Sequence, residues 1–279
     1  RLMQGAAEGV NTLASYLKSD VDLNIPVSKV KQEKTFAVII ANENYQEEVN
    51  VEFALNDGMA FREYCIKLLG IPESNLHIRK DATLNNMLAE INWMQNIAKA
   101  YGAEARFIFY YAGHGMPDES NGTSYLLPVD GKSNILATGY SMSRLYAELN
   151  GLNAACVTVL MDACFSGSKR GEGMLASARG VALKAKAEAP KGNMLVMTAA
   201  QGSETAYPYK EKKHGLFTYF LLKKLQESKG KVTYGDLFDY VKTNVAQKSI
   251  VVNEKSQTPT IAVSGDLVST WQSIRLNED

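Results

Sequence analysis

The chain has 279 residues, 46% of them hydrophobic and 22% charged, an ordinary globular composition that can bury a large core without disulfides or metals. Lys plus Arg and Asp plus Glu balance at 30 each, so there is no basic excess for sequence-independent nucleic-acid binding, and no apolar run approaches the length of a membrane span. Cys65, Cys156 and Cys164 form an odd set without CxxC spacing, and His77, His114 and His214 lie far apart, a pattern that fits neither a disulfide framework nor a zinc site.

Residues 1–34 read as an N-terminal appendage. Gly5–Lys18 has the spacing of a short amphipathic helix, and Ser19–Lys34 reads as a polar connector. The absence of an initiator Met and of a signal peptide suggests that numbering starts inside a longer precursor, which leaves a cytoplasmic and an exported protein both open. From Thr35 to the end, strands and helices alternate. Phe36–Ala41 is a continuous apolar run, as a buried parallel strand should be. Phe53–Leu69 has helical periodicity and ends at Gly70-Ile-Pro72. Leu76–Lys80 is a shorter strand, Leu84–Tyr101 a helix and Arg106–Tyr111 an aromatic strand. Ser141–Leu149 is a helix, Ala155–Met161 and Asn193–Thr198 are strands, and Leu216–Gln226 and Tyr234–Val245 are helices. Thr258–Val263 is the last strand. Alternation of this kind predicts a mostly parallel sheet covered on both faces. Function in such sheets collects past the carboxyl ends of the strands.

Two strand ends there carry reactive side chains. Tyr110-Tyr-Ala-Gly-His114-Gly115 follows the third strand, and Asp162-Ala-Cys164-Phe-Ser-Gly167 follows the fourth. If those strands are neighbours, His114 and Cys164 face one another across a cleft. A free thiol has a pKa of about 8.5, so only a small share is thiolate at neutral pH. An imidazole alongside raises that share and can protonate a leaving amine. Gly115 lets backbone approach a substrate, so its N–H and that of Cys164 could receive a developing oxyanion. The blander readings are a small buried cysteine and a glycine turn. Cys65 and Cys156 fall within helix and strand patterns and read as core. His77 and His214 carry no assigned role.

These motifs resemble the two catalytic motifs of the caspase-like cysteine peptidases, bacterial metacaspase (orthocaspase) members above all. Ala54-Leu-Asn-Asp57, Leu126-Leu-Pro-Val-Asp130, Thr198-Ala-Ala-Gln-Gly202, Gly215-Leu-Phe-Thr-Tyr219 and Gln257-Thr-Pro-Thr260 resemble further landmarks of that family in the same order, so the likeness runs over roughly residues 35–263. It implies a caspase–haemoglobinase α/β fold with a six-stranded sheet flanked by helices. It also implies peptide-bond hydrolysis by a Cys–His dyad through a thioester, acting on peptide or protein substrates and needing no cofactor.

Metacaspases bind Arg or Lys at P1 with acidic residues at two places, which here hold Asp57 and Asp162, expected at the mouth of the cleft. Each carboxylate has a structural alternative: Asp57 as a charge at a helix N-terminus, Asp162 as an acceptor holding its loop. Ala54 and Ala112 stand where small polar pocket residues often occur in the family. Asp118 and Asp130 form no aspartate cluster of the kind that calcium-dependent members carry, so no metal is expected. Ser168–Gly192 is a glycine-rich basic stretch, too long for an ordinary connection. By the resemblance it corresponds to an inter-subunit linker, with Lys169, Arg170, Arg179 and Lys191 as candidate self-cleavage points; otherwise it is a solvated basic loop. A catalytically silent caspase-fold module and a peptidase with another P1 preference stand as the competing functions. The oligomeric state is left open.

Overall fold

The structure is a computed structural model describing residues 18–118, 123–165, 190–202 and 204–277. The helix expected at Gly5–Lys18 and nearly all of the Ser168–Gly192 stretch lie outside these residues. Eleven strands and five α-helices are described: β1 (Thr35–Ala41), α1 (Ala54–Lys67), β2 (Leu76–Lys80), α2 (Leu84–Tyr101), β3 (Arg106–Ala112), β4 (Gly115–Pro117), β5 (Ser124–Leu126), β6 (Tyr140–Ser141), α3 (Met142–Asn150), β7 (Cys156–Asp162), β8 (Met194–Thr198), β9 (Pro208–Tyr209), β10 (His214–Gly215), α4 (Leu216–Ser228), α5 (Tyr234–Asn253) and β11 (Thr260–Val263).

The central sheet has six strands in the order β11-β8-β7-β3-β1-β2. All neighbours run parallel except β11, which pairs antiparallel with β8. Side chains alternate between the faces of each strand, and both faces are buried. Ala37, Ile39, Ile108, Tyr110, Leu160 and Met197 pack against α1, α4 and α5 through Phe61, Tyr64, Phe217, Leu221 and Val241. Phe36, Val38, Ile40, Phe109, Tyr111, Val159 and Val196 pack against α2 and α3 through Met87, Ile91, Met94, Leu145 and Leu149. That double burial is why the inner strands read as unbroken apolar runs.

Three helices begin where capping side chains dictate, α5 with the Thr233 hydroxyl accepting the Asp236 N–H. Thr83 and Asn86 close a capping box on α2, and the Ser141 hydroxyl accepts the Arg144 N–H at the start of α3. Helix α1 lies close on β1 because Gly58 faces the strand: a Cβ there would meet Ala41 Cβ at 2.6 Å. Helix α5 runs to Asn253, beyond the Val245 expected from sequence. The last strand begins at Thr260, after Gln257 has used its side chain to bridge Tyr207 N–H (2.8 Å) and the Ala199 carbonyl (3.0 Å).

Two small sheets were not anticipated from sequence, β4-β5-β6 beyond the end of β3 and the β9-β10 pair before α4. The polar stretch Ser19–Lys34 lies against the helices on the α1 and α4 side. Its Val21 is fully buried, and the Val21 carbonyl accepts the Tyr64 hydroxyl at 2.7 Å.

Candidate active site

The chain passes from β1 to β2 on one side and returns to place β3 on the other. Strand order therefore reverses at β1 and β3, and the loops past their carboxyl ends bound the crevice where α/β sheets place ligands. The loop after β1 is joined to the end of β3 by Asn42 N–H donating to the Ala112 carbonyl at 2.8 Å. The buried Asn42 amide donates to the Ala82 and Leu127 carbonyls and accepts Ala82 N–H.

His114 and Cys164 follow the carboxyl ends of adjacent strands beside this crevice. Ala112 is in register with Asp162 across β3 and β7, so each residue lies two positions past a paired residue. The loops touch: a Cβ on Gly115 would lie 2.5 Å from the Cys164 carbonyl oxygen and 2.5 Å from Phe165 Cδ1. Only glycine admits that approach. Leu127 N–H bonds the His114 carbonyl, and Gly115 pairs with Leu126. Gly115 thus occupies the non-hydrogen-bonded position of the antiparallel ladder, with its N–H turned away from β5.

His114 is held on three sides. Its backbone N–H donates to the Tyr45 hydroxyl at 2.8 Å, and its carbonyl accepts the Tyr111 hydroxyl at 2.7 Å. The Tyr45 ring lies 4.7 Å from the imidazole, centroid to centroid. Burial pushes both phenols well above their usual range, so both remain donors. Nε2 lies 2.7 Å from the Val49 carbonyl. A carbonyl only accepts, so Nε2 carries the proton and Nδ1 is the basic nitrogen of the neutral ring. His114 is 6% exposed and Cys164 3%.

Asp57 and Asp162 were expected at the mouth of the cleft. Both are instead fully buried, and both converge on the N-terminus of α4. Gly215 N–H donates to Asp57 Oδ1 (3.1 Å) and Oδ2 (3.0 Å). Thr218 donates to Asp162 Oδ2 through its N–H (3.1 Å) and its hydroxyl (2.7 Å), and that hydroxyl also lies 2.7 Å from the Tyr110 hydroxyl. The first N–H groups of a helix have no partner within it and favour negative charge, so α4 draws both carboxylates inward.

His214 is also fully buried, with Nδ1 2.8 Å from Asp57 Oδ1 and Nε2 3.1 Å from Asp22 Oδ1. Burial pulls its pKa down, but the bonds and charges of Asp22 and Asp57 outweigh that and raise it to about 9. Its sequence setting, Lys-Glu-Lys-Lys-His214, has the look of a solvated loop and gave no sign of this. Tyr45, the Val49 carbonyl and Thr218 were likewise missed, because each acts through contacts distant in sequence; Tyr111 stands three residues before His114, and its apolar strand setting hid the polar role of its hydroxyl. Of the candidate cleavage points, Lys191 is exposed and followed by Gly192 at φ 60°; Lys169, Arg170 and Arg179 lie outside the described residues. Among the described residues, no group of three or more His, Cys, Asp or Glu could hold a metal ion, and no helix is long and apolar enough to cross a membrane.

A mostly parallel six-stranded sheet flanked by helices, with a histidine and a cysteine two residues past the ends of neighbouring strands, fits the class of caspase-type α/β domains. The family model for the caspase domain of cysteine peptidases matches residues 34–266, and the chain belongs to that family. The crystal structure of protein GSU0716 from Geobacter sulfurreducens is similar, with a TM-score of 0.63 at 17% identity over 87% of this chain and 98% of that one. The crystal structure of caspase-1 from Spodoptera frugiperda is similar too, with a TM-score of 0.59 at 14% identity over 87% and 92% of the two chains. No curated protein matches the chain.

Proposed function

We propose that this domain is a cysteine endopeptidase of the metacaspase type in which Cys164 is the nucleophile and His114 the acid and base. The observation that carries the reading is the contact of the two strand-end loops at Gly115 and Cys164, with the His114 tautomer set by Val49. Nδ1 takes the thiol proton as sulfur attacks the scissile carbonyl carbon. The C–S bond forms, and the carbonyl oxygen gains the negative charge. The N–H groups of Gly115 and Cys164 stabilise that oxyanion. The C–N bond then breaks as His114 returns its proton to the leaving amine. Water attacks the thioester carbon, giving a proton to His114; the C–S bond breaks, the acid leaves, and His114 returns that proton to the sulfur.

The same reading makes Asp57 and Asp162 the acidic floor of a P1 pocket for Arg or Lys. A guanidinium matches carboxylates in geometry as well as charge. A second reading has its own observation. Both aspartates are buried against the start of α4, and in that reading they only anchor the helix while other residues select P1.

Activity-based probes differing only in Arg, Lys, Asp or Leu at P1 separate these readings. Basic probes are expected to label the wild-type chain at Cys164 and to leave Cys164→Ala unlabelled. Labelling by Leu or Asp probes in preference to basic ones would move the P1 selector away from the two aspartates. A thiol that no probe labels would identify a silent caspase-fold module.

A further inference from the structure

His214 lies between two carboxylates from distant parts of the chain, Asp57 on α1 and Asp22 in the segment that precedes the sheet. Carboxylates accept, so an imidazole bonded to both donates from both nitrogens and carries a positive charge. The Asp22 end of this bridge is itself firmly held. Asp20, in the same 3-10 turn (Asp20–Asp22), pairs with Lys212 and Lys223 at 2.9 Å each and accepts the Tyr219 hydroxyl. The Gln226 amide donates to the Asp20 and Leu23 carbonyls. Oδ1 of Asp57, which takes the imidazole, also takes Gly215 N–H.

We propose that His214 and Asp22 are positioning residues for substrate selection: through them the docked segment 19–23 fixes the Asp57 carboxylate, so that recognition of a basic P1 residue depends on that segment. The inference rests on the reading of Asp57 as part of the P1 pocket. It differs from a purely structural brace in one respect. Loosening the bridge should weaken binding of basic substrates selectively, with little change in the chemical step.

The ionisable groups packed around the bridge include Asp20, Lys212, Lys223, Tyr219, Tyr64 and Tyr209, and Lys18, Glu63 and Lys67 line the pocket that Asp22 borders. Against the pull of burial, Asp22 and Asp57 raise the pKa of His214 to about 9, so the bridge would switch in mildly alkaline solution. Neutral histidine can donate to only one of the two carboxylates.

The test measures kcat and KM for peptide amides differing only in Arg or Leu at P1, from pH 6 to 10, for wild type, Asp22→Asn and His214→Gln. For Arg, Asp22→Asn should raise KM about tenfold, the scale of one lost charge-assisted hydrogen bond, with kcat nearly unchanged and Leu cleavage unaffected. Wild-type KM for Arg should rise as pH passes through about 9, and that inflection should move to lower pH in Asp22→Asn. Wild type that prefers Arg while both variants keep its KM and pH profile overturns the inference alone. Wild type without basic preference overturns the P1 reading and the inference together, and its flat P1 profile shows which failed first. If His214→Gln does not fold or the chain is inactive, 15N-histidine NMR still decides. Wild type should show both His214 nitrogens protonated at neutral pH, and a neutral ring there would overturn the bridge.

Discussion

Gly115 is where the loops that carry His114 and Cys164 touch, and a single methyl there is a sharper probe than removal of either reactive side chain. Its Cβ would collide with the Cys164 backbone oxygen and the Phe165 ring, so one loop must move. Displacements of about 1 Å can cost on the order of a hundredfold in rate. Gly115→Ala is therefore expected to lower kcat/KM for peptide amides about a hundredfold, with the circular dichroism spectrum retained; near-wild-type turnover would detach Gly115 from the site. His114→Ala should lose most activity and Cys164→Ala all of it, read on the same amides. His114, Cys164 and Gly115 could be singled out from sequence because reactive residues beside glycines follow long apolar strands. The supports of His114 could not be. Val49 acts through a backbone carbonyl, which no side-chain pattern encodes, and Tyr45 is bonded to His114 across a gap of 69 residues.

Helix α4 is the element around which the polar groups are arranged. Its first turn receives Asp57 at Gly215 and Asp162 at Thr218. Thr218→Val keeps the shape and deletes the hydroxyl that joins Asp162 to Tyr110. It should cost about 1–3 kcal/mol, the range for a buried polar group that loses its bond, as read by chemical denaturation. A change below a few tenths of a kcal/mol would show that the backbone N–H alone holds Asp162. The β10–α4 junction also makes stability depend on pH. The folded pKa of His214 is raised from 6.5 to about 9, so its contribution is fully present below about 6.5 and lost as pH rises through 9. For a buried group shifted this far it is on the order of 3 kcal/mol. Asp20 behaves oppositely. Burial pushes its carboxyl up, but Lys212 and Lys223 hold it well below its usual value of 3.8, so its contribution is present above 3.8 and lost in stronger acid. Denaturation midpoints from pH 6 to 10 should therefore fall, and Asp22→Asn should flatten the fall; an unchanged slope would count against the His214 bridge. Among the elements, β1, β3 and β7 were legible because both faces of each are buried. The two-residue strands β6, β9 and β10 are too short for any periodicity to register. The direction of β11 is a matter of pairing partner, which one strand's own residues do not carry.

At the scale of the whole molecule, the segment 18–34 shows how charge can dock what hydropathy marks as a connector. It packs Val21 and, in part, Ile25 against the core and is held by Asp20, Asp22 and backbone hydrogen bonds. Self-processing is the remaining expectation at this scale. Incubated wild-type chain should be cut after a basic residue between 168 and 192, while Cys164→Ala stays whole, as read by intact mass. Arg179, Lys191, Arg170 and Lys169 are the sites to watch. An uncut wild-type chain with full activity on small Arg substrates would leave processing without a role.

The pairing of β7 with β8 has a consequence for such a cut. The two strands meet at five positions, from Val157↔Met194 to Met161↔Thr198, and they belong to opposite sides of the Ser168–Gly192 stretch. His114, Cys164, Asp57 and Asp162 all precede it, whereas Thr218, Gly215 and His214, which hold the two aspartates in place, all follow it. A severed chain should therefore run as one particle in native sizing and as two bands when denatured. Expressed as separate polypeptides, the halves should behave as a split enzyme: neither would hydrolyse peptides alone, and activity on mixing would return at a rate set by the product of their concentrations.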